Sequence, residues 1–244
     1  MDLPLFDLDK IKFGVDEGTF QRALTLYETG RVTNFRNNGY SFTADVLGSQ
    51  PYRVVVLGKK YDEGNCECYL GQNNTLCKHM IAVAIYAVLG GREIKEEERK
   101  QVTKPEASGV VGELCTEALK KAKEEITYAL RFIKYYSGPS KTWFAYQDSL
   151  WEGKNRLSST ISKLPVSKQT TDLIVGILLR LDKKIQNGVD DSDGTVGGFI
   201  EDAVDMLKDF VKYDPKVIES FKKLVGISSC FGWEEPLVKL FTEN

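Results

Sequence analysis

Histidine is almost missing from this chain: the 244 residues contain one, His79. A lone imidazole cannot build a His-Glu-x-x-His metalloprotease site. If it is committed elsewhere, the commonest general base is gone as well. Other catalytic signatures are missing too, among them Gly-x-Ser-x-Gly, a phosphate-binding loop and a dinucleotide fingerprint. Gly58-Lys59-Lys60 lacks both the leading glycine of a phosphate loop and its Ser/Thr. Charge of one sign is lacking as well. Net charge is −2, so no global field draws the chain to nucleic acid or an anionic membrane. Residues 1–110 hold 14 Lys+Arg and 15 Asp+Glu, and residues 111–244 hold 19 and 20. Long apolar runs are lacking too: the longest, Met80 to Leu89, falls well short of the roughly 20 residues a membrane helix needs. The opening Met-Asp-Leu-Pro-Leu-Phe-Asp has neither the positive start nor the apolar stretch of a signal peptide. The expectation is a cytoplasmic, non-enzymatic protein with no membrane partner.

Cysteine is scarce, five in all, and three of the five crowd into one place. Cys66-Glu67-Cys68 is followed after eight residues by Cys77-Lys78-His79. Three sulfurs and one ring nitrogen within 14 residues form a tetrahedral Zn²⁺ set. Four protein ligands fill zinc's shell and leave no position for water, the mark of a structural site. A disulfide is the competing use, but residues 66 and 68 are poorly spaced to bridge each other. Cys115 and Cys230 read as helical or buried, and free thiols suit a reducing compartment.

Local structure follows from the neighbours. Cys66 and Cys68 flank a bend at the end of a strand. Gly71 and Asn73-Asn74 turn the chain back, and Met80 to Leu89 reads as a helix closed by Gly90 and Gly91. Cys77 then sits at a helix N-terminus, where the dipole favours a thiolate, with His79 in the first turn.

The segment resembles a SWIM zinc finger, a ββα knuckle with the pattern Cys-x-Cys, a gap, then Cys-x-His. The likeness extends upstream through ALTLYETGRV (Ala23 to Val32), ADVLGS (Ala44 to Ser49) and YRVV (Tyr52 to Val55), and downstream into Lys78-His79-Met80-Ile81-Ala82-Val83. It spans roughly residues 17 to 90. It implies zinc on Cys66, Cys68, Cys77 and His79, and a binding role in settings such as DNA transactions, chromatin or ubiquitin-type adaptors. Zinc would hold the knuckle's strands to its helix, because a unit this small has little apolar area of its own.

Around the motif, residues 1 to 16 give no clear pattern. Phe20, Ala23, Leu24 and Tyr27 mark a helix near Glu17 to Thr29. Strand patterns follow at 31–36, 40–47 and 52–57, with Asn37-Asn38-Gly39 predicting a type I′ turn and Gly48-Ser49-Gln50-Pro51 a second turn. Tyr40, Phe42, Ala44 and Val46 alternate with polar residues, so one sheet face is buried. Arg92 to Pro105 is charged and reads as a solvated helix or linker. Lys104-Pro105 to Gly109 marks a domain boundary, giving a zinc module over 1–105 and a helical domain over 106–244. Five long helical stripes and a short sixth follow, beginning at Leu114, Trp143, Leu173, Phe199, Val217 and Pro236. No fixed repeat unites them, so a single bundle is expected. The fold class is α+β: a helix and β-meander leading into a small ββα zinc module, then an all-α bundle.

Three further stretches invite a function. Asp190-Asp-Ser-Asp193-Gly194 suggests calcium, but placing Gly194 sixth puts Val189 first and Ile200 twelfth, where acids are needed. An acidic turn leading into a helix near Thr195 is the better reading. The aromatics Trp143, Phe144, Tyr146 and Trp151 could form a docking hot spot, though helical spacing favours core. Arg36, Tyr40 and Phe42, with Lys59, Lys60 and Lys78, could contact nucleic acid by stacking and phosphate pairing. Residues 20–90, however, hold 7 Lys+Arg against 5 Asp+Glu, and a Cys₃His zinc adds −1. The expected function is therefore a zinc-stabilised adaptor that docks an unidentified protein partner, with direct DNA or RNA binding as the alternative.

Overall fold

A computed structural model describes residues 4–100, 102–139 and 143–243, with the side chains of Glu97 and Phe144 outside the described set. The polypeptide divides into two compact units, Met1–Gln101 and Val102–Asn244.

In the first unit, α1 (Leu8–Phe13) and α2 (Glu17–Glu28) precede a four-stranded antiparallel meander. Its strands, in sheet order, are β1 (Val32–Asn37), β2 (Ser41–Leu47), β3 (Pro51–Leu57) and β4 (Lys60–Cys66). Phe42, Ala44 and Val46 of β2 and Val54 and Val56 of β3 point inward, so the alternation has its expected effect. A helical turn, α3 (Tyr69–Gln72), leads to α4 (Lys78–Leu89), which packs on the sheet with α1 and α2 against it. Met80 to Ile85 of α4 are all buried, because this helix has the sheet on one side and helices on the other. Phe20, Phe42, Ile11, Ile81 and Ile85 are fully buried in the same cluster. The unit thus has a core of its own, larger than expected for a module reliant on metal.

Several expectations need correction. The first hairpin is not type I′, which would require positive φ at both central residues. Asn38 N–H donates to Ser41 O (2.9 Å), which centres the turn on Gly39-Tyr40, and only Gly39 of the pair has positive φ. Tyr40 therefore lies in the turn, 74% exposed, and not on the buried face. The charged run after α4 is no free linker up to Arg99. Ile94 is buried in the core, Tyr27 Oη donates to Arg92 O (2.5 Å), and Arg92 forms a two-pronged pair with Glu98 (2.7 and 2.9 Å). Helix α5 (Glu96–Arg99) is held by Gln21 Nε2 donating to Arg99 O and by an Arg99–Glu28 ion pair. Helix α1 falls where no pattern was read.

The second unit is helical: α6 (Thr116–Ala129), α7 (Trp143–Ile161), α8 (Lys168–Gln186), α9 (Thr195–Tyr213), a 3₁₀ helix (Pro215–Leu224) and α10 (Glu235–Thr242). They enclose one core that includes Ile126, Leu150, Leu157, Leu178, Phe199, Leu207, Phe210 and Phe221. The expected fifth stripe is 3₁₀ and not α. Lys104 to Gly109 lies along the end of α7, with Glu106 N–H on Ser162 Oγ (3.0 Å) and Ser108 Oγ donating to Leu164 O (2.8 Å). The acidic turn caps α9 as expected: Asp191 Oδ1 and Oδ2 accept the N–H groups of Val196 (2.6 Å) and Gly197 (2.7 Å). Burial nonetheless pushes the Asp191 carboxyl above its usual range. The aromatic group splits: Tyr146 is core, whereas Trp151 is 40% exposed under the Lys154 ammonium. Cys115, the N-cap of α6, and Cys230 are exposed, so neither is a buried thiol.

Buried Asp182 of α8 holds the C-terminal segment. Its Oδ1 accepts Cys230 N–H (2.8 Å) and Trp233 Nε1–H (3.1 Å), and Oδ2 accepts Gln186 Nε2–H (2.7 Å). Hydrogen bonds to a charged partner contribute about 1.5–3 kcal/mol, and orphaned buried donors cost more. Asp182→Ala is expected to destabilise the protein by about 3 kcal/mol in chemical denaturation and to red-shift Trp233 emission as its indole meets water. An unchanged midpoint would contradict this role.

Candidate metal centre

The four sequence-predicted ligands converge where β4, α3 and α4 meet. Cys66 ends β4 opposite Val54 of β3, so its side chain faces inward. Cys68 is the N-cap of α3 and its sulfur accepts Gly71 N–H (3.4 Å), while Cys66 Sγ accepts Cys68 N–H (3.5 Å). Cys77 is the N-cap of α4, and His79 lies in that helix's first turn. The spacer must fold back tightly: a Cβ on Gly71 would sit 2.1 Å from Cys66 O, so only glycine fits. That requirement was readable only as a glycine in the gap, with no hint of the contact.

All four residues are buried, and their candidate ligand atoms lie within 4.8 Å of one another. His79 Nδ1 is 3.8 Å from Cys66 Sγ and 3.9 Å from Cys77 Sγ. Zinc bonds of about 2.3 Å to sulfur and 2.0–2.1 Å to nitrogen give tetrahedron edges of about 3.6–3.8 Å, close to this spacing. The cysteines are free thiols, so no disulfide competes.

Electrostatics favour a cation here. A hydrogen bond from Cys66, backed by His79 and the Met80 N–H at the start of α4, holds the Cys77 thiol down to about 4. The hydrogen bond to Cys77 and then burial push Cys66 well above the usual thiol range. The two thiols thus resist carrying negative charge together. A divalent ion removes that conflict by replacing their protons and screening the thiolates from each other.

Residues 52–87 match the family model of the SWIM zinc finger. This finger is a zinc-binding module, with its Cys₃His set buried and its ligand atoms within 4.8 Å of one another. The match covers the segment from Tyr52 of β3 to Ala87 of α4 and not the helical unit. No curated protein and no solved structure matches the chain.

Among the described residues the other sequence candidates form no metal site, and their aromatic Phe42 is buried. Arg36 and Lys59 are exposed, and Lys60 pairs with Glu63 (2.5 Å). Phe42 is buried and packs beside Phe35, so it offers no ring for base stacking. Among the described residues the Cys₃His group is the one His/Cys/Asp/Glu cluster with metal-holding geometry, and the 190–194 turn is not one.

Replacing one thiolate opens the site. Cys77→Ser is expected to lose stoichiometric zinc and to lower the thermal midpoint of the first unit by about 10 °C or more. That takes a loss of ~2 kcal/mol or more at 4–8 °C per kcal/mol. Metal analysis and calorimetry check it; full occupancy with an unchanged midpoint would remove Cys77 from the ligand set.

Proposed function

We propose that this chain is an adaptor whose zinc finger shapes a protein-docking surface and does no chemistry itself. The carrying observation is the closed, buried ligand set: with four protein ligands the ion keeps no open position for water or substrate. The knuckle's outward face is mostly polar (Glu67, Gln72, Asn73, Asn74 and Thr75) with one apolar spot. Tyr69 and Leu70 of α3 are 81% and 45% exposed, next in sequence to ligand Cys68. An exposed aromatic beside a rigid metal-fixed turn is the kind of anchor protein interfaces use. A reducing, cytoplasmic setting suits a site that needs its three thiols kept from oxidation.

Direct nucleic-acid binding is the second reading. A shallow concavity of about 420 Å³ on the outer sheet face is lined by Arg36 and Arg53 with Asn34, Asn38 and Thr43. Asp45 shares that face, and Phe42 is turned away from it, which leaves little cationic surface for phosphate.

Two measurements separate the readings. Affinity purification from the source cells, with wild type beside a Tyr69→Ser/Leu70→Ser variant that still binds zinc, should recover a stoichiometric partner with wild type and lose it with the variant. Filter binding of single- and double-stranded DNA and RNA over a salt series should show no retention at low salt. Retention that falls steeply with salt would overturn the adaptor reading in favour of phosphate contact.

A further inference from the structure

Two residues outside the ligand motif stand against His79. A Cβ placed on Gly48 would lie 2.9 Å from His79 Nε2 and 2.9 Å from Cε2 of Tyr52. The Tyr52 ring lies over the imidazole, with centroids 4.8 Å apart and planes 37° apart. Its hydroxyl is 2.8 Å from Ser49 Oγ, so the far end of the phenol is tied to the same turn. That turn is closed by the Leu47–Pro51 pair and by Gly48 N–H donating to Gln50 O (3.0 Å). Gly48 is not among the residues with positive φ. Its backbone would accept any residue; the space beside it would not.

We propose that the β2–β3 turn is the outer wall of the zinc centre, with Gly48 and Tyr52 as positioning residues that hold the imidazole so that Nδ1 faces the three sulfurs. The inference rests on zinc binding at Cys66, Cys68, Cys77 and His79. It adds to that set two residues the ligand pattern does not contain. Without a wall, the His79 ring could turn about its Cβ–Cγ bond and take Nδ1 away from the sulfurs. Tyr52 covers one face of the ring, and the bare Cα of Gly48 closes the Nε2 edge, which is buried without a hydrogen-bond partner among the described residues. A methyl group at position 48 cannot be absorbed by retreat of the ring. On one side stand Cys66 Sγ and Cys77 Sγ, on another the Tyr52 ring. Coordination tolerates errors of only about 0.2 Å, and supporting contacts are typically worth 10–100-fold in metal affinity.

The test uses the full chain with Gly48→Ala and Tyr52→Leu, and exposed Gln50→Ala as a control within the same turn. Zinc affinity is measured by chelator competition, and the ligand set by the visible spectrum of the Co²⁺-substituted protein. The expected result is a 10–100-fold weaker zinc affinity in Gly48→Ala and Tyr52→Leu. Their cobalt d–d bands should shift as the nitrogen ligand is displaced while sulfur-to-cobalt charge transfer persists, and Gln50→Ala should behave as wild type. If Gly48→Ala fails to fold by circular dichroism, Tyr52→Leu alone decides. Wild-type affinity in the folded variants would overturn the proposal, as would weakened affinity with a wild-type cobalt spectrum. Absence of cobalt and zinc binding in the unmodified chain would instead overturn the metal site itself.

Discussion

Three sulfurs and an imidazole buried within 4.8 Å of each other make a demand that the polypeptide alone does not meet. Thiols so placed resist ionising together, with Cys77 drawn toward the thiolate and Cys66 driven from it. A cation satisfies all four at once, because each ligand then faces positive charge and not a neighbour's negative charge. The site also joins the end of an edge strand, a single helical turn and the start of α4, of which β4 and α4 already pack on each other. Metal and hydrophobic core therefore divide the labour. Ile81, Ile85, Phe20 and Phe42 hold α4 to the sheet and to α2, while the ion fixes the course of residues 66 to 79.

That division bears on the proposed function. An ion with a complete protein shell contributes shape and not reactivity. In the adaptor reading we propose, the fixed turn would act through what it exposes, which at Tyr69 and Leu70 is apolar. The sheet face that could have met phosphate carries both charges and has its aromatic Phe42 turned inward. The helical unit is built on a separate principle. Its stripes share one core, and its polar anchors, Asp182 under the C-terminal segment and Asp191 at the start of α9, satisfy backbone and indole donors.

The sequence made the ligand set readable because Cys-x-Cys and Cys-x-His are specific in residue type and spacing. Helices α2, α7, α8 and α9 were readable too, since each carries an apolar stripe, and α4 was readable as an apolar run closed by Gly90 and Gly91. Strand β4 was not. It lies at the sheet edge and turns only Tyr61 and Cys66 inward, so no alternation marks it. Helix α1 is short, and Ile94 is a single buried residue in a charged run; periodicity cannot reveal either. The Asn38-Gly39 pair suggested the wrong two central residues, because strand pairing, which is non-local, set the register one residue later. Gly48 and Tyr52 illustrate the same limit at the metal centre. Their closeness to His79 comes from a turn 27 to 31 residues away in sequence, which no spacing rule connects.

X-ray absorption at the zinc edge, on protein purified without added metal, tests the central claim most directly. One zinc per chain with three sulfurs at about 2.3 Å and one nitrogen at about 2.0–2.1 Å is the expected result. A shell with oxygen in place of any of these ligands, or far less than one ion per chain, would contradict it.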